Sequence, residues 1–529
     1  MNSVFRIMPI AVFIFTATAH ASAAPDTVKI KPPLAPQQQI SKSSAADTAK
    51  SEKRIVRFSP VRELQADLDG ILSAPEIGNA HVGISVLSIE NGEYFYRKND
   101  VRNFIPASTQ KIFTTSTALD FLGKDFRFIT RWYLDGDIMP SGEFIGNIIV
   151  RGAGDPSMSQ FFYPEPLDIL TEAAVKLDSL GIRVVRGNII ADDSYFDDAV
   201  YGTGWQIDDV PYSYSAQISA LSINDNSIDI LAVPGQSMGE PAKIRIVPEN
   251  SYIRVVNNVT TADAAEPTII VPYREQSENM IELRGKIPVQ LKGGAEPFHI
   301  NTTVNNPPLF FLHLFKQALE KYGIRVRGSL ISVDDWNERI TYSDMQTFYE
   351  HISPPLSDIV AVINKFSHNL GAEMLLKTIG KESSGIGSAA KGIEVVKRYA
   401  IRQGIAAESF TMVDGSGLSR LNLLSPRAEC GLLSGVYRSP NKEEFWLSFP
   451  VPMAQGTLRN RMLHTRAEKY TRAKTGSMNN VSGIAGYIIT RDGEPLAFSI
   501  LVNGFTVPAA LVENIQDLVC MRLASFTRK

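Results

Sequence analysis

The sequence predicts an α/β (α+β) domain that a long, mostly β insertion splits in two. Three observations predict it. A helix-plus-hairpin pattern begins near residue 60, about two hundred residues of short β-like runs follow, and helices with two strands then return to the chain end. A length of 529 residues exceeds one ordinary core and agrees with two or three domains.

The elements follow in order. "MNSVFRIMPIAVFIFTATAHASAA" carries one positive charge, Arg6, an apolar run from Ile7 to Phe15 and A-x-A matches at Ala19–Ala21 and Ala21–Ala23. The run is shorter than the roughly 20 residues of a spanning helix, so 1–23 reads as an export signal rather than an anchor. Residues 24–54, rich in Pro, Ala, Ser, Gln and Lys without aromatics, read as a flexible tether. "VRELQADLDGIL" reads as a helix. "HVGISVLSIENGEYFYRKND" gives two alternating strands around Asn91-Gly92, a hairpin signal.

"FIPASTQKIFTTSTALDFLG" then starts a helix whose apolar positions include Ile112, Ala118, Leu119 and Leu122. Residues 131–343 form the insertion, enough for one or two β-rich domains, interrupted by the helical "PLDILTEAAVKLDSLG" and "LFFLHLFKQALEKYG". Residues 55–130 and 344–529 form the divided domain, with "LSDIVAVINKFSHNLGAEMLLKTIG", "AAKGIEVVKRYAIRQG" and "SPRAECGLLSGVYRS" as helices. "VSGIAGYIITRDG" and "EPLAFSILVNGF" read as strands, and "AALVENIQDLVCMRLAS" as a closing helix. The two halves are expected to meet in space.

Composition excludes several classes. A net charge of −3 gives no concentrated basic face for nucleic acid. Seven scattered histidines offer no metal spacing, and neither a metal nor a cofactor is expected. With no later segment apolar enough to span a bilayer, only weak membrane association is left open. Export permits a Cys430–Cys520 disulfide, although apolar neighbours favour two buried thiols at least as well. Neither a G-x-S-x-G elbow nor a P-loop is present.

Chemistry concentrates in three short motifs. Ser108 and Lys111 form S-x-x-K, and on a helix i and i+3 share a face, so the amine reaches the hydroxyl. A serine becomes a nucleophile when a neighbouring base takes its proton, and lysine serves only when neutral. From an ordinary pKa near 10.4, neutrality at pH 7 requires a shift of about 3–4 units. The pattern recurs at Ser388/Lys391 and Ser439/Lys442, so alone it also fits a plain amphipathic helix. Ser367-His368-Asn369 is an S-x-N, a pattern that also starts at Ser222, Ser277, Ser439 and Ser477 and alone reads as a polar turn. There Ser367 can relay a proton and the Asn369 amide can hold a carbonyl. Lys474-Thr475-Gly476 precedes an apolar strand, where the glycine lets a substrate backbone approach and the strand edge can bind an extended peptide.

The ordered set, with gaps of 259 and 107 residues, resembles the active-site-serine D-alanyl-D-alanine carboxypeptidase/endopeptidase family, the low-molecular-mass class C penicillin-binding proteins. "GAGDPSM", "DDSYFDD", "DGSGLSRLNLLSP" and "RAKTGSMNNVSGIAGY" carry the same likeness. The resemblance implies a transpeptidase/β-lactamase-like domain, an antiparallel sheet flanked by helices, with β-rich domains inserted between the first two motifs. It implies a periplasmic or cell-wall enzyme that trims peptidoglycan stem peptides, extends to cutting cross-links, and is inhibited by β-lactam antibiotics. Ser108 would be acylated, Lys111 act as base and Ser367 relay the proton. Asn369 and Lys474 would orient the substrate, Thr475 and Ser477 hold the terminal carboxylate, and the N–H groups of Ser108 and Ser477 form the oxyanion hole. Asp193, preferred over Asp192, would receive the diamino acid side chain in the insertion. His368 stands where many relatives carry Asp, at a position that usually points away from the serine. Two alternatives stand beside this reading: a serine β-lactamase, and a non-catalytic peptidoglycan-binding module.

Overall fold

In the computed structural model, residues 59–289 and 296–529 are described. The leader, the tether and residues 55–58 of the expected catalytic domain lie outside the described residues.

The central sheet has five antiparallel strands, in the order Thr471–Met478, Val481–Ile489, Pro495–Asn503, His81–Ser88, Tyr94–Lys98. Chain start and chain end therefore share one sheet, paired from His81↔Asn503 to Ser88↔Leu496. Period-two alternation explains how both faces are covered. Ile484, Ile488, Leu496, Phe498, Ile500 and Val502 pack with the helices Pro60–Ile71 and Ala509–Ala524. Ala485, Tyr487 and Ala497 point the other way, into a core shared with the helices Lys111–Leu122, Leu356–Phe366, Asn369–Ser384, Ala389–Arg402 and Pro426–Tyr437. Each fully buried Ile, Leu or Phe here contributes roughly 1.5–3 kcal/mol. The hairpin forms as its turn residues predict, with Gly92 at φ 77°.

The insertion combines strands with helices at the two segments that read as helical. Its main sheet has seven strands, from Ile129–Ile138 to Gln346–Ile352, joined along Ile129↔Ile352. The inserted sheet therefore runs wider at both ends than the 131–343 drawn from sequence. Helices Asp168–Ser179 and Pro307–Lys321 cover it, the second capped by the Asn306 side chain accepting from Leu309 N–H. Two three-stranded sheets follow, one of Arg254–Ala262, Ile269–Arg274 and Met280–Pro288, the other of Ser227–Val233, Lys243–Val247 and Phe298–Thr303. All share one apolar core containing Trp132, Ile230, Ile281 and Phe311.

Cys430 and Cys520 are both free and buried, and the Cys430 thiol donates to Ser85 O at 3.2 Å. Among the described residues, no helix is long and apolar enough to cross a membrane.

Candidate active site

The serine-bearing turn, Ala107–Gln110, leads directly into the helix Lys111–Leu122. Ala107 has φ 49°, a left-handed conformation that costs roughly 1–3 kcal/mol for a residue with a Cβ and is held by its surroundings. The helix is buried from Lys111 to Leu119, which accounts for its threonines. Two of them are satisfied: the hydroxyl of Thr115 donates to Lys111 O within the helix and that of Thr114 to Gly415 O outside it, each at 2.7 Å.

Lys111 is fully buried. Its Nζ lies 2.9 Å from Ser108 Oγ, 2.6 Å from Asn369 Oδ1 and 2.7 Å from Ser416 O. Three acceptors match the three donors of an ammonium, while the neutral amine keeps a lone pair for a proton. Burial pushes the Lys111 amine down to about 7, against the opposing pull of Glu373 and Asp414.

The helix read as one segment around the second motif breaks at it. Ser367, at φ 61°, ends Leu356–Phe366, and Asn369 begins the next helix. That bend presents the Ser367 hydroxyl to Lys474, whose Nζ donates to it at 2.9 Å and to Thr475 O at 2.6 Å. Lys474 is also fully buried, and burial, then the neighbouring Lys111, hold its amine well below the ordinary lysine range. Asn369 is occupied at both ends, since its Nδ2 donates to Tyr214 O in the insertion at 2.8 Å. His368 turns its ring toward Phe161, 5.2 Å between centroids, with Nε2 3.1 Å from Asp225 Oδ1.

Strand Thr471–Met478 is an edge of the central sheet. At Gly476 it runs so close to the serine turn that an added Cβ would lie 2.7 Å from Pro106 O and 2.9 Å from Ser108 N. Thr475 is half-buried and Ser477 exposed on this edge. Two separated pieces of chain thus bring together two hydrogen-bonded groups, Ser108–Lys111–Asn369 and Ser367–Lys474, close enough for the Lys111 charge to act on Lys474.

The other copies of the first motif do something else. Ser388 caps the helix Ala389–Arg402 by accepting from Lys391 N–H, and the Lys391 amine turns to Glu394 at 2.8 Å. The Lys442 amine sits 3.8 Å over the Tyr437 ring. Neither makes a serine–amine pair.

Asp193 accepts from the Ser219 hydroxyl at 2.9 Å, and burial raises its carboxyl to about 6. Asp192 is committed to structure: Ser194 N–H donates to it at 2.9 Å, and it also holds Tyr342 and Arg151. Sequence reasoning missed Glu373, Ser416, Tyr214 and Trp205. It also set aside Asp414, because turn geometry alone explains "DGSGLSR". The one available signal was an acidic residue, four positions after Asn369, within the otherwise apolar run Leu370–Leu376.

Residues 64–525 match the D-Ala-D-Ala carboxypeptidase 3 (S13) family. The chain belongs to that family. A D-alanyl-D-alanine carboxypeptidase of Actinomadura sp. (strain R39) is 34% identical over 93% of this chain and 89% of its own length. The carboxypeptidase DacB of Haemophilus influenzae is 27% identical over 81% of this chain and 86% of its own. Penicillin-binding protein 4 (dacB) from Haemophilus influenzae aligns in structure at a TM-score of 0.73 and 25% identity, covering 85% of this S13-family chain and 98% of its own. A second structure of that protein contains a novel β-lactam, at TM-score 0.70 with the same identity and coverage.

Proposed function

We propose that this S13-family chain hydrolyses the terminal D-Ala-D-Ala bond of peptidoglycan stem peptides through an acyl-enzyme on Ser108. The observation that carries the reading is a fully buried lysine amine 2.9 Å from the Ser108 hydroxyl. Ser108 Oγ attacks the penultimate D-Ala carbonyl while Lys111 takes its proton. The oxyanion faces the N–H groups of Ser108 and Ser477. Ser367, beside Lys474, passes a proton to the leaving D-Ala amine as the C–N bond breaks. Thr475 and Ser477 receive the terminal carboxylate, and water then attacks the acyl carbon and frees Ser108.

Asn369 orients Lys111, and its amide reaches a substrate carbonyl by releasing Tyr214 O. Asp193 receives the diamino acid's amino group, whose positive charge favours an ionised carboxylate. The same chemistry extends to cross-links, where the leaving amine belongs to a neighbouring stem. β-Lactams, which mimic the acyl donor, acylate Ser108 and leave slowly. Residues 1–23 serve as an export signal and put the enzyme in the periplasm or cell-wall compartment, where its substrate is.

The test is D-Ala release from a stem-peptide analogue ending in D-Ala-D-Ala, by the wild type and Ser108→Ala. Release lost in the variant supports the reading, and undiminished release refutes it. Rapid repeated turnover of penicillin with no D-Ala release would favour a β-lactamase instead.

A further inference from the structure

We propose that Glu373 is a positioning residue for acylation, one that holds the Asp414–Gly417 turn against Lys111 and sets by its own charge whether that amine is neutral. The inference rests on reading Lys111 as the base.

Glu373 is buried, one helical turn after Asn369. Gly415 N–H donates to both of its oxygens, at 3.0 and 2.9 Å, and Ser416 N–H donates to Oε1 at 2.7 Å. The same two residues turn their carbonyls toward the serine helix: Ser416 O accepts from Lys111 Nζ and Gly415 O from Thr114 Oγ1, each at 2.7 Å. Glu373 therefore fixes the turn that supplies one of three acceptors around the amine.

Neighbouring charges decide its second role. Asp414 accepts from Gly417 N–H at 2.8 Å, Ser419 N–H at 2.6 Å, the Asn422 amide at 2.7 Å and Trp205 Nε1 at 3.0 Å. Burial raises its carboxyl, and these four donors work against that by favouring the ionised form. Glu373 lies beside that negative charge, and burial followed by Asp414 pushes its carboxyl up to about 7. The other titratable groups of this region are Lys111, Lys474 and Glu429, which acts electrostatically on Lys474, with Lys377 further along the helix tied to Asp197 at 2.6 Å and His368 turned to Asp225. Neutral Lys111 with protonated Glu373 carries the same net charge as ammonium with carboxylate. Only the first arrangement has the base ready.

The test is the pH dependence of acylation by a fluorescent penicillin, for wild type and Glu373→Gln. Glutamine keeps the shape and removes the charge that favours the ammonium, so the acid limb moves to lower pH, by about one unit. A rate lowered evenly at every pH, with the limb unmoved, overturns the proposal and leaves Glu373 a structural residue. A wild type that takes no label sinks the acyl-enzyme reading itself, and this inference with it. Should Glu373→Gln fail to fold, the wild type labelled with 13C at the glutamate carboxyls serves. Glu429, also raised to about 7, is assigned by its loss in Glu429→Gln. A second buried glutamate that titrates near pH 7 and shifts when Ser108 is acylated supports the proposal. The absence of such a signal overturns it.

Discussion

Replacing Gly476 by alanine tests how closely the third motif must approach the serine. The added Cβ would meet Pro106 O at 2.7 Å, Ser108 N at 2.9 Å and Thr109 N at 3.0 Å. The tightest of these is about 0.7 Å inside the 3.4 Å at which contact becomes ordinary. All three atoms are backbone, so no side chain can rotate away, and either the strand or the serine turn must move. Overpacking of this kind costs about 1–3 kcal/mol of stability. A reacting group displaced by about 1 Å loses roughly 100-fold in rate, so a shift of several tenths should cost roughly 10- to 100-fold. That range corresponds to about 1.4–2.7 kcal/mol in the acylation barrier. The assay is the second-order rate of labelling by a fluorescent penicillin, with melting temperature alongside. Gly70→Ala is the control: it lies in the helix Pro60–Ile71, nothing is within 4 Å of its Cβ, and alanine favours helix. Labelling of Gly476→Ala within twofold of wild type, at an unchanged melting temperature, would refute the geometry.

Two further outcomes concern buried groups. Glu429 is fully buried near Lys474, and burial raises its carboxyl from 4.5 to about 7. A raised carboxyl stabilises the fold fully below pH 4.5, and that contribution is lost as pH rises through about 7. The loss amounts to up to about 3 kcal/mol; Glu429→Gln should flatten this part of the stability–pH curve, and an unchanged slope would show that the carboxyl is not perturbed. Cys430 and Cys520 are free, and burial raises both thiols. Native protein should therefore react with a thiol reagent only on unfolding, at two equivalents, and should migrate identically with and without reductant.

Much of this architecture is legible locally. The hairpin at Asn91-Gly92, the two final strands and the closing helix announce themselves through turn chemistry and period-two or 3.6-residue patterning. Strand Gln346–Ile352 was not recognised as part of the insertion, because its pairing with Ile129–Ile138 is made across more than two hundred residues of chain. The break at Ser367 was hidden because the apolar rhythm continues through it, and the left-handed residue is a serine rather than a glycine. At the site, the three motifs pointed to the nucleophile and both lysines. Glu373 escaped notice and Asp414 was given no role because their effect on Lys111 depends on burial and on a turn brought in from 305 residues away. Spacing cannot report either. The two spare S-x-x-K copies show the converse, a pattern identical in sequence but different in hydrogen bonding.

The most direct measurement is mass spectrometry of the protein after brief exposure to a penicillin. A single covalent adduct should map to the peptide containing Ser108, vanish in Ser108→Ala and persist in Ser388→Ala. An adduct on another residue, or one retained when Ser108 is alanine, would contradict a nucleophile activated by the buried Lys111 amine.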